Sequence, residues 1–148
     1  MRVEYGGLTP LIQVFDMPAS MRFYCDILGF GLVATNADEP PYDWVLLRRN
    51  DDEIMLNTMY EADDRPPAPD PARTAAHRDT TFYFGCSDVD AVYEHLRKHG
   101  AADKPPSVAP YGMKQLYFSD PDGYLLCLQW PASEETAAEW RERYGTDV

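Results

Sequence analysis

Positively charged residues are scarce in this chain of 148 residues. It has 13 Lys and Arg against 25 Asp and Glu, which gives a formal net charge of −12 at pH 7. Nucleic-acid phosphates would be repelled by such a surface, so the composition argues against a nucleic-acid-binding function. The same surface attracts cationic ligands, although an acidic surface also serves solubility alone.

Long hydrophobic runs are missing as well, although 45% of the residues are hydrophobic and 13% are aromatic. No stretch approaches the roughly 20 apolar residues that cross a membrane, and the first residues show no apolar run of the signal-peptide type. There are only three cysteines, an odd number that fits reduced thiols. We therefore expect a globular, cytoplasmic protein without a membrane segment.

What the sequence does contain is an internal repeat. Its first copy begins with a strand at Leu11–Phe15, followed by a helix that Asp16 can cap and Gly29 ends. Three more strands are predicted at Phe30–Thr35, Asp43–Arg49 and Ile54–Met59.

The second half repeats this order at an offset of 72 residues, which aligns Asp88 with Asp16 and Cys127 with Met55. Its predicted elements are a strand at Thr81–Cys86, a helix that Ser87-Asp88 caps and Gly100 ends, and a hairpin of Lys114–Ser119 and Tyr124–Trp130 around the turn Asp120-Pro-Asp-Gly123. The sequence therefore predicts an α+β fold of two tandem βαβββ modules. We place the modules at 8–60 and 80–131, within a single domain covering 1–148.

Two segments lie outside the repeat. The segment 61–79 is rich in proline and mixed in charge, which is typical of an exposed linker; its length leaves open that it closes over a site as a lid. The segment 132–148 predicts a short C-terminal helix that Ser133 caps, with Trp140 docked on the domain.

The stretch Leu8–Phe30 resembles the vicinal oxygen chelate superfamily, which contains glyoxalase I, extradiol dioxygenases, fosfomycin-modifying enzymes and the metal-free bleomycin-resistance proteins. It reads LTPLIQVFDMPASMRFYCDILGF, with the strand, Asp, Ala-Ser, Phe-Tyr and Leu-Gly-Phe in the order usual for that superfamily. Ser87–Ala91 (SDVDA) and Asp120–Tyr124 (DPDGY) are the matching second-half signatures. The resemblance covers about Leu8 to Trp130 and implies two modules whose mixed sheets curl around a shared cleft. It does not name the function, because one fold hosts many activities.

The resemblance also implies four inward-pointing positions that hold a divalent metal ion in the metal enzymes. In this sequence they fall on Thr9, Met55, Thr81 and Cys127. Hydroxyls and a thioether are poor ligands for such an ion, and one cysteine does not make a site. We therefore expect no metal, no other cofactor and no catalytic residue. His77 is the alternative ligand if these positions are misplaced.

Two histidines, His95 and His99, lie four residues apart on the second helix, which is a spacing that some metal sites use. We expect them to be solvated, because His99 falls in the last turn, where a cation suits the helix dipole.

The turn after Asp120 predicts Tyr117 opposite Cys127 and Gln115 opposite Gln129. Cys127 lies mid-strand without a cation or a base beside it, so we interpret it as a lining residue rather than a nucleophile. Period-two alternation then collects the candidate ligand-binding residues on one face: Thr9, Gln13, Met55, Asn57, Thr81, Tyr83, Gln115, Tyr117, Cys127 and Gln129.

Apolar and aromatic walls with a few amides are typical of a small-molecule pocket, although a half-polar packed core gives the same pattern. Trp44 and Trp130 are possible rim residues that could stack on a flat ligand or pack in the core, with Trp44 expected on the opposite face.

Our leading hypothesis is a metal-free protein of the bleomycin-resistance type, a homodimer that sequesters a small aromatic or cationic compound. The first alternative is an enzyme of the same superfamily: either a lyase or dioxygenase that uses a metal, or a metal-free isomerase or lyase that uses Tyr83 or Tyr117 as a general acid. The second alternative is a structural module whose cleft is filled by its own side chains.

Overall fold

The computed structural model describes residues 6–145. The chain divides into two compact units between Pro69 and Asp70, so the division lies inside the proline-rich segment 61–79. Each unit contains a four-stranded mixed sheet, and the elements follow the predicted βαβββ order twice. The predicted α+β fold of tandem modules is confirmed.

The first unit contains β1 (Leu11–Val14), α1 (Met17–Met21) with its π-helical continuation (Arg22–Ile27), β2 (Gly31–Thr35), β3 (Trp44–Arg49), β4 (Asp52–Thr58) and a 3₁₀ turn (Ala62–Asp64). The strand order across the sheet is β1-β4-β3-β2, with β1 parallel to β4. As predicted, Asp16 caps α1: its Oδ1 accepts the N–H of Ala19 at 3.2 Å.

The second unit contains α2 (Pro71–Ala76), a 3₁₀ turn (His77–Asp79), β5 (Thr81–Gly85), α3 (Val89–Lys98), β6 (Ser107–Val108), β7 (Met113–Ser119), β8 (Leu125–Pro131) and α4 (Glu134–Tyr144). Its sheet has the matching order β5-β8-β7-β6. Asp88 repeats the role of Asp16, since its Oδ1 accepts the N–H of Ala91 at 3.0 Å. Ser133 caps α4 in the same manner through the N–H of Thr136.

Alternate residues of each sheet form the apolar core of that unit. In the first unit the fully buried strand residues include Val14, Val45, Leu47 and Leu56; in the second they include Leu116 and Leu126. Trp130 is 6% exposed and lies edge-to-face with Trp140 of α4, with ring centroids 5.6 Å apart. Trp130 is therefore a core residue that docks the last helix.

The proline-rich segment is more structured than a plain linker. Asp70 caps α2 by accepting the N–H of Ala72 at 2.9 Å, and Pro71 follows at the first helical position, where a missing N–H costs nothing. Near its start, Arg65 pairs with Asp16 Oδ1 at 3.2 Å and lies over the ring of Phe15. The start of the segment is thus bonded to the first unit.

Among the described residues, no helix is long and apolar enough to cross a membrane.

Candidate functional site

The predicted site residues lie on the face of each sheet opposite the one that carries the buried apolar strand residues. In the first unit the parallel strands pair Leu11 with Met55 and Gln13 with Asn57. The second unit has the equivalent parallel pair, Tyr83 with Cys127. The spacing between partners is the same in both, so the register obeys the 72-residue repeat here. Thr9 lies two residues before β1, and Thr81 pairs with Leu125.

The hairpin register in the second unit is as predicted. Tyr117 pairs with Cys127 and Gln115 with Gln129. The turn has the expected form, because Gly123 donates its N–H to Asp120 O at 3.1 Å and adopts a φ of +87°. Residues directly opposite each other in an antiparallel pair share a face, so the predicted second-unit residues do lie together.

The prediction for Trp44 was wrong. Trp44 pairs with Asn57, so it lies on the same face as Asn57 and Met55. The first hairpin closes with two residues between Arg49 and Asp52, whereas the second has three residues between Asp120 and Tyr124. The 72-residue offset is therefore wrong by one residue where it aligns β3 with β7. Each β3 side chain consequently lies on the face opposite to the one that the offset predicts.

A hydrogen-bonded network joins the polar side chains of the second-unit face. Tyr83 and Tyr117 hydroxyls are 2.9 Å apart, and the Tyr117 hydroxyl donates to Gln115 Oε1 at 3.3 Å. Gln115 is 5% exposed and donates from Nε2 to Gln129 Oε1 at 2.8 Å. Tyr111, which the sequence did not single out, donates its hydroxyl to the same Gln115 oxygen at 2.9 Å. The buried Gln115 amide is thus bonded directly to Tyr111 and Tyr117, and through Tyr117 to Tyr83.

The two central tyrosines are exposed although their hydroxyls are bonded. Tyr83 is 52% exposed and Tyr117 is 43% exposed. The hydrogen bond with Tyr83, and then burial, raise the pKa of Tyr117 well above its ordinary value. The Tyr117 hydroxyl consequently remains a neutral phenol throughout the physiological pH range.

Cys127 is fully buried beneath these tyrosines. Burial raises the pKa of its thiol, and a hydrogen bond with Tyr117 opposes that shift. The Sγ lies 3.8 Å from the carbonyl oxygen of Leu128, to which it donates. A reactive thiol needs a depressed pKa and access to solvent, so this geometry does not fit a nucleophile.

The first-unit face is built differently. Asn57 donates from Nδ2 to Gln13 Oε1 at 3.1 Å, which joins two predicted residues. Thr9 donates its hydroxyl to Glu53 Oε2 at 3.3 Å, and Arg48 donates from Nε to Glu53 Oε1 at 2.8 Å. The hydrogen bond from Arg48 lowers the pKa of the Glu53 carboxyl.

The sequence interpretation missed Arg48 and Glu53. Glu53 lies two residues before Met55, so period-two alternation along β4 already placed it on this face. Arg48 is its direct partner across the hairpin. The first-unit face therefore contains an ion pair, whereas the central strands of the second-unit face contribute no charged side chain to it.

Two of the three histidines, His77 and His99, donate hydrogen bonds to backbone carbonyl oxygens. His77 Nδ1 lies 2.7 Å from the Asp122 carbonyl oxygen, to which it donates, and its ring stacks on Tyr124 with centroids 3.9 Å apart. His99 Nδ1 donates in the same way to the His95 carbonyl oxygen at 2.9 Å. Within residues 6–145 no three His, Cys, Asp or Glu side chains group in a way that suits a metal ion.

Comparison with known proteins identifies the family. A family model described as the Glyoxalase/Bleomycin resistance protein/Dioxygenase superfamily matches residues 8–128. This chain belongs to that superfamily. The match agrees with the resemblance in the sequence motifs and with the duplicated fold.

Three individual proteins are also similar to this chain. The uncharacterized protein YaeR of Escherichia coli (strain K12) is 34% identical over 115 residues, which cover 75% of this chain and 84% of YaeR. The structure of TioX from Micromonospora sp. ML1 covers 84% of this chain and 98% of its own, at 17% identity and a TM-score of 0.66. A bleomycin-binding protein complexed with bleomycin covers the same shares at 22% identity and a TM-score of 0.61. At these identities the two structures show the fold alone.

The divalent metal used by enzymes of this superfamily does not fit the four positions that the family resemblance implies. The Thr9 hydroxyl donates its proton to Glu53. Cys127 is buried and the pKa of its thiol is raised, which disfavours the thiolate form that binds a metal. Met55 and Thr81 supply a thioether and a hydroxyl, which are weak donors to Zn²⁺, Ni²⁺ or Fe²⁺. The donor set therefore gives no basis for a metal-dependent step.

Proposed function

We propose that this protein binds and sequesters a small organic molecule, without a metal ion and without transforming it. The observation that carries the proposal is the second-unit face, where two exposed tyrosines are hydrogen-bonded to the buried Gln115, which in turn bonds to the half-buried Gln129. Aromatic surface with a few fixed polar groups is typical of small-molecule sites. The fold shared with a bleomycin-binding protein supports the same class of function.

The chemistry of Tyr117 also favours binding over catalysis. A general acid works best when its pKa lies near the operating pH, but the hydrogen bond with Tyr83 raises the pKa of Tyr117 far from neutrality. The side-chain amides of Gln115, Gln129 and Asn57 do not titrate, so they cannot act as the general base that would work with such an acid.

The assembly that we propose is a homodimer. In the edge strand β2, Leu32 and Val33 are 46% and 45% exposed. Apolar side chains on an unpaired edge are surface that a second copy would cover.

We expect thermal-shift screening against a panel of aromatic and drug-like compounds to find stabilising ligands. A ligand present at 100 times its Kd stabilises the native state by about 2.7 kcal/mol, which for a chain of this length raises Tm by about 5–10 °C. Hits should compete for one site in calorimetry, and sedimentation in the same buffer reports whether the binding species is a dimer. If no organic compound of the panel raises the Tm of the protein, the proposal is wrong.

Metal analysis provides an independent measurement. We expect protein purified without a metal-affinity step to contain far less than one equivalent of zinc, nickel, manganese or iron by elemental analysis. Treatment with EDTA should leave Tm and ligand affinity unchanged, because the donor set is poor. A stoichiometric metal whose removal lowers Tm or abolishes ligand binding would contradict the metal-free part of the proposal.

A further inference from the structure

The rings of Tyr83 and Tyr117 are nearly perpendicular. Their centroids are 6.2 Å apart and the interplanar angle is 86°. Both rings are about half exposed, so each presents π-surface to solvent. We call this pair the tyrosine corner. An aromatic ring carries negative electrostatic potential on its face, which attracts cations that come within about 6 Å of the centroid.

The hydroxyls of the corner are held by the network and do not rotate freely. The Tyr117 hydroxyl lies 3.3 Å from Gln115 Oε1 and 2.9 Å from the Tyr83 hydroxyl, so both hydroxyls of the corner take part in hydrogen bonds. The exposed parts of Tyr83 and Tyr117 therefore include their ring faces. The π-electron density of these faces is complementary to a positively charged ligand.

The strands that carry the corner add no charged side chain to its face. In the described part of the chain, the residues of β5, β7 and β8 on this face are Thr81, Tyr83, Gly85, Met113, Gln115, Tyr117, Ser119, Leu125, Cys127, Gln129 and Pro131, all of them uncharged. The neighbouring Lys114 lies on the other face, where it pairs with Asp90 of α3. A ligand cation at the corner meets no repulsion from these strand residues, and the net charge of −12 raises the concentration of cations near the protein.

We propose that the tyrosine corner binds the cationic group of an organic ligand, with the rings of Tyr83 and Tyr117 as its walls. This inference rests on the proposed small-molecule binding function. The sequence left open an aromatic or a cationic ligand, and the inference selects a ligand with a cationic group. Because the contact is to the ring faces, it requires the rings and not the free hydroxyls.

Matched ligand pairs test the charge. Choline and its neutral isostere 3,3-dimethylbutan-1-ol have the same shape, so a difference in their affinity reports the charge alone. Chemical-shift titration should show choline or phenyltrimethylammonium binding about 10-fold more tightly than the neutral alcohol. The perturbed resonances should include those of β5 and β7, and added salt should weaken the cation more than the alcohol.

Substitutions at the corner test the location. Tyr83→Phe keeps the ring, and we expect it to retain cation affinity within about 3-fold, whereas Tyr83→Leu should lose about 10-fold. Tyr144→Leu is the matched control, because Tyr144 is also 52% exposed but lies at the end of α4. Equal loss in Tyr83→Leu and Tyr144→Leu, or no loss in Tyr83→Leu, would overturn the inference.

The outcomes separate this inference from the function on which it rests. If the neutral alcohol binds as well as choline, or if only uncharged members of the thermal-shift panel bind, the cationic specificity is wrong and the binding function stands. If no compound of the panel binds and neither member of the pair does, both proposals fail.

Discussion

Gly123→Ala should lower the free energy of unfolding by about 3 kcal/mol, as the sum of a left-handed backbone cost and a steric clash. Gly123 has a φ of +87° in the turn between β7 and β8. A Cβ at this position would come within 2.5 Å of the Thr74 backbone oxygen and 2.8 Å of its Cγ2. Thr74 belongs to α2, so the clash would push this helix from the turn.

Gly112→Ala is the control that separates the two costs. Gly112 has a similar φ of +84°, but a Cβ there would meet no atom within 4 Å. We expect this variant to lose only about 1 kcal/mol, the cost of the backbone conformation. Urea denaturation followed by tryptophan fluorescence measures both variants under the same conditions. Equal losses would show that α2 does not pack against the turn as described.

Cys127 should be protected from thiol reagents at least about 100-fold relative to Cys86, which corresponds to a local opening free energy near 3 kcal/mol. Two properties act in the same direction. Cys127 has no exposed surface, and burial raises the pKa of its thiol, so little of the reactive thiolate exists at neutral pH. Cys86 is partly exposed and makes the better comparison, because the pKa of Cys25 is raised by burial and by Asp26.

Variants that retain a single cysteine allow the alkylation rates of Cys127 and Cys86 to be measured separately. Cys25→Ser with Cys86→Ser leaves only Cys127, and Cys25→Ser with Cys127→Ser leaves only Cys86. Alkylation is followed by mass spectrometry at pH 7 and pH 9, in buffer and in urea. Both variants should react alike in urea, and a native rate for Cys127 within a few-fold of the Cys86 rate would contradict the burial of Cys127.

Much of the fold was predictable because local signals and the repeat agree. Asp16 and Asp88 each precede a helix and cap it as the spacing predicts. The pairing of Tyr117 with Cys127 followed from one turn, since the hydrogen bond between Gly123 and Asp120 fixes the register of the whole hairpin.

Other features had weaker signals or none. The two-residue strand β6 is too short to show any periodicity, and it was not predicted. Helix α2 did have a signal, an Asp-Pro pair at Asp70 and Pro71, which was masked by the surrounding prolines.

Side-chain networks depend on rotamers, which a sequence pattern does not contain. Alternation placed Gln115 and Tyr117 on one face, but it did not indicate that Tyr111 reaches back from the turn before β7 to the same amide. It also gave no sign that Thr9 bonds to Glu53. The composition of the candidate site was therefore predictable, whereas its hydrogen-bond connections were not.

The unequal turns of the two hairpins limit how the halves can be recombined. If β7 were replaced by β3 cut at numerically equivalent positions, Val45 and Leu47 would point to solvent and Trp44 would enter the apolar interior. A chimera must therefore move each turn together with both of its strands. Exchange of whole hairpins keeps every side chain on its own face, whereas exchange of single strands does not.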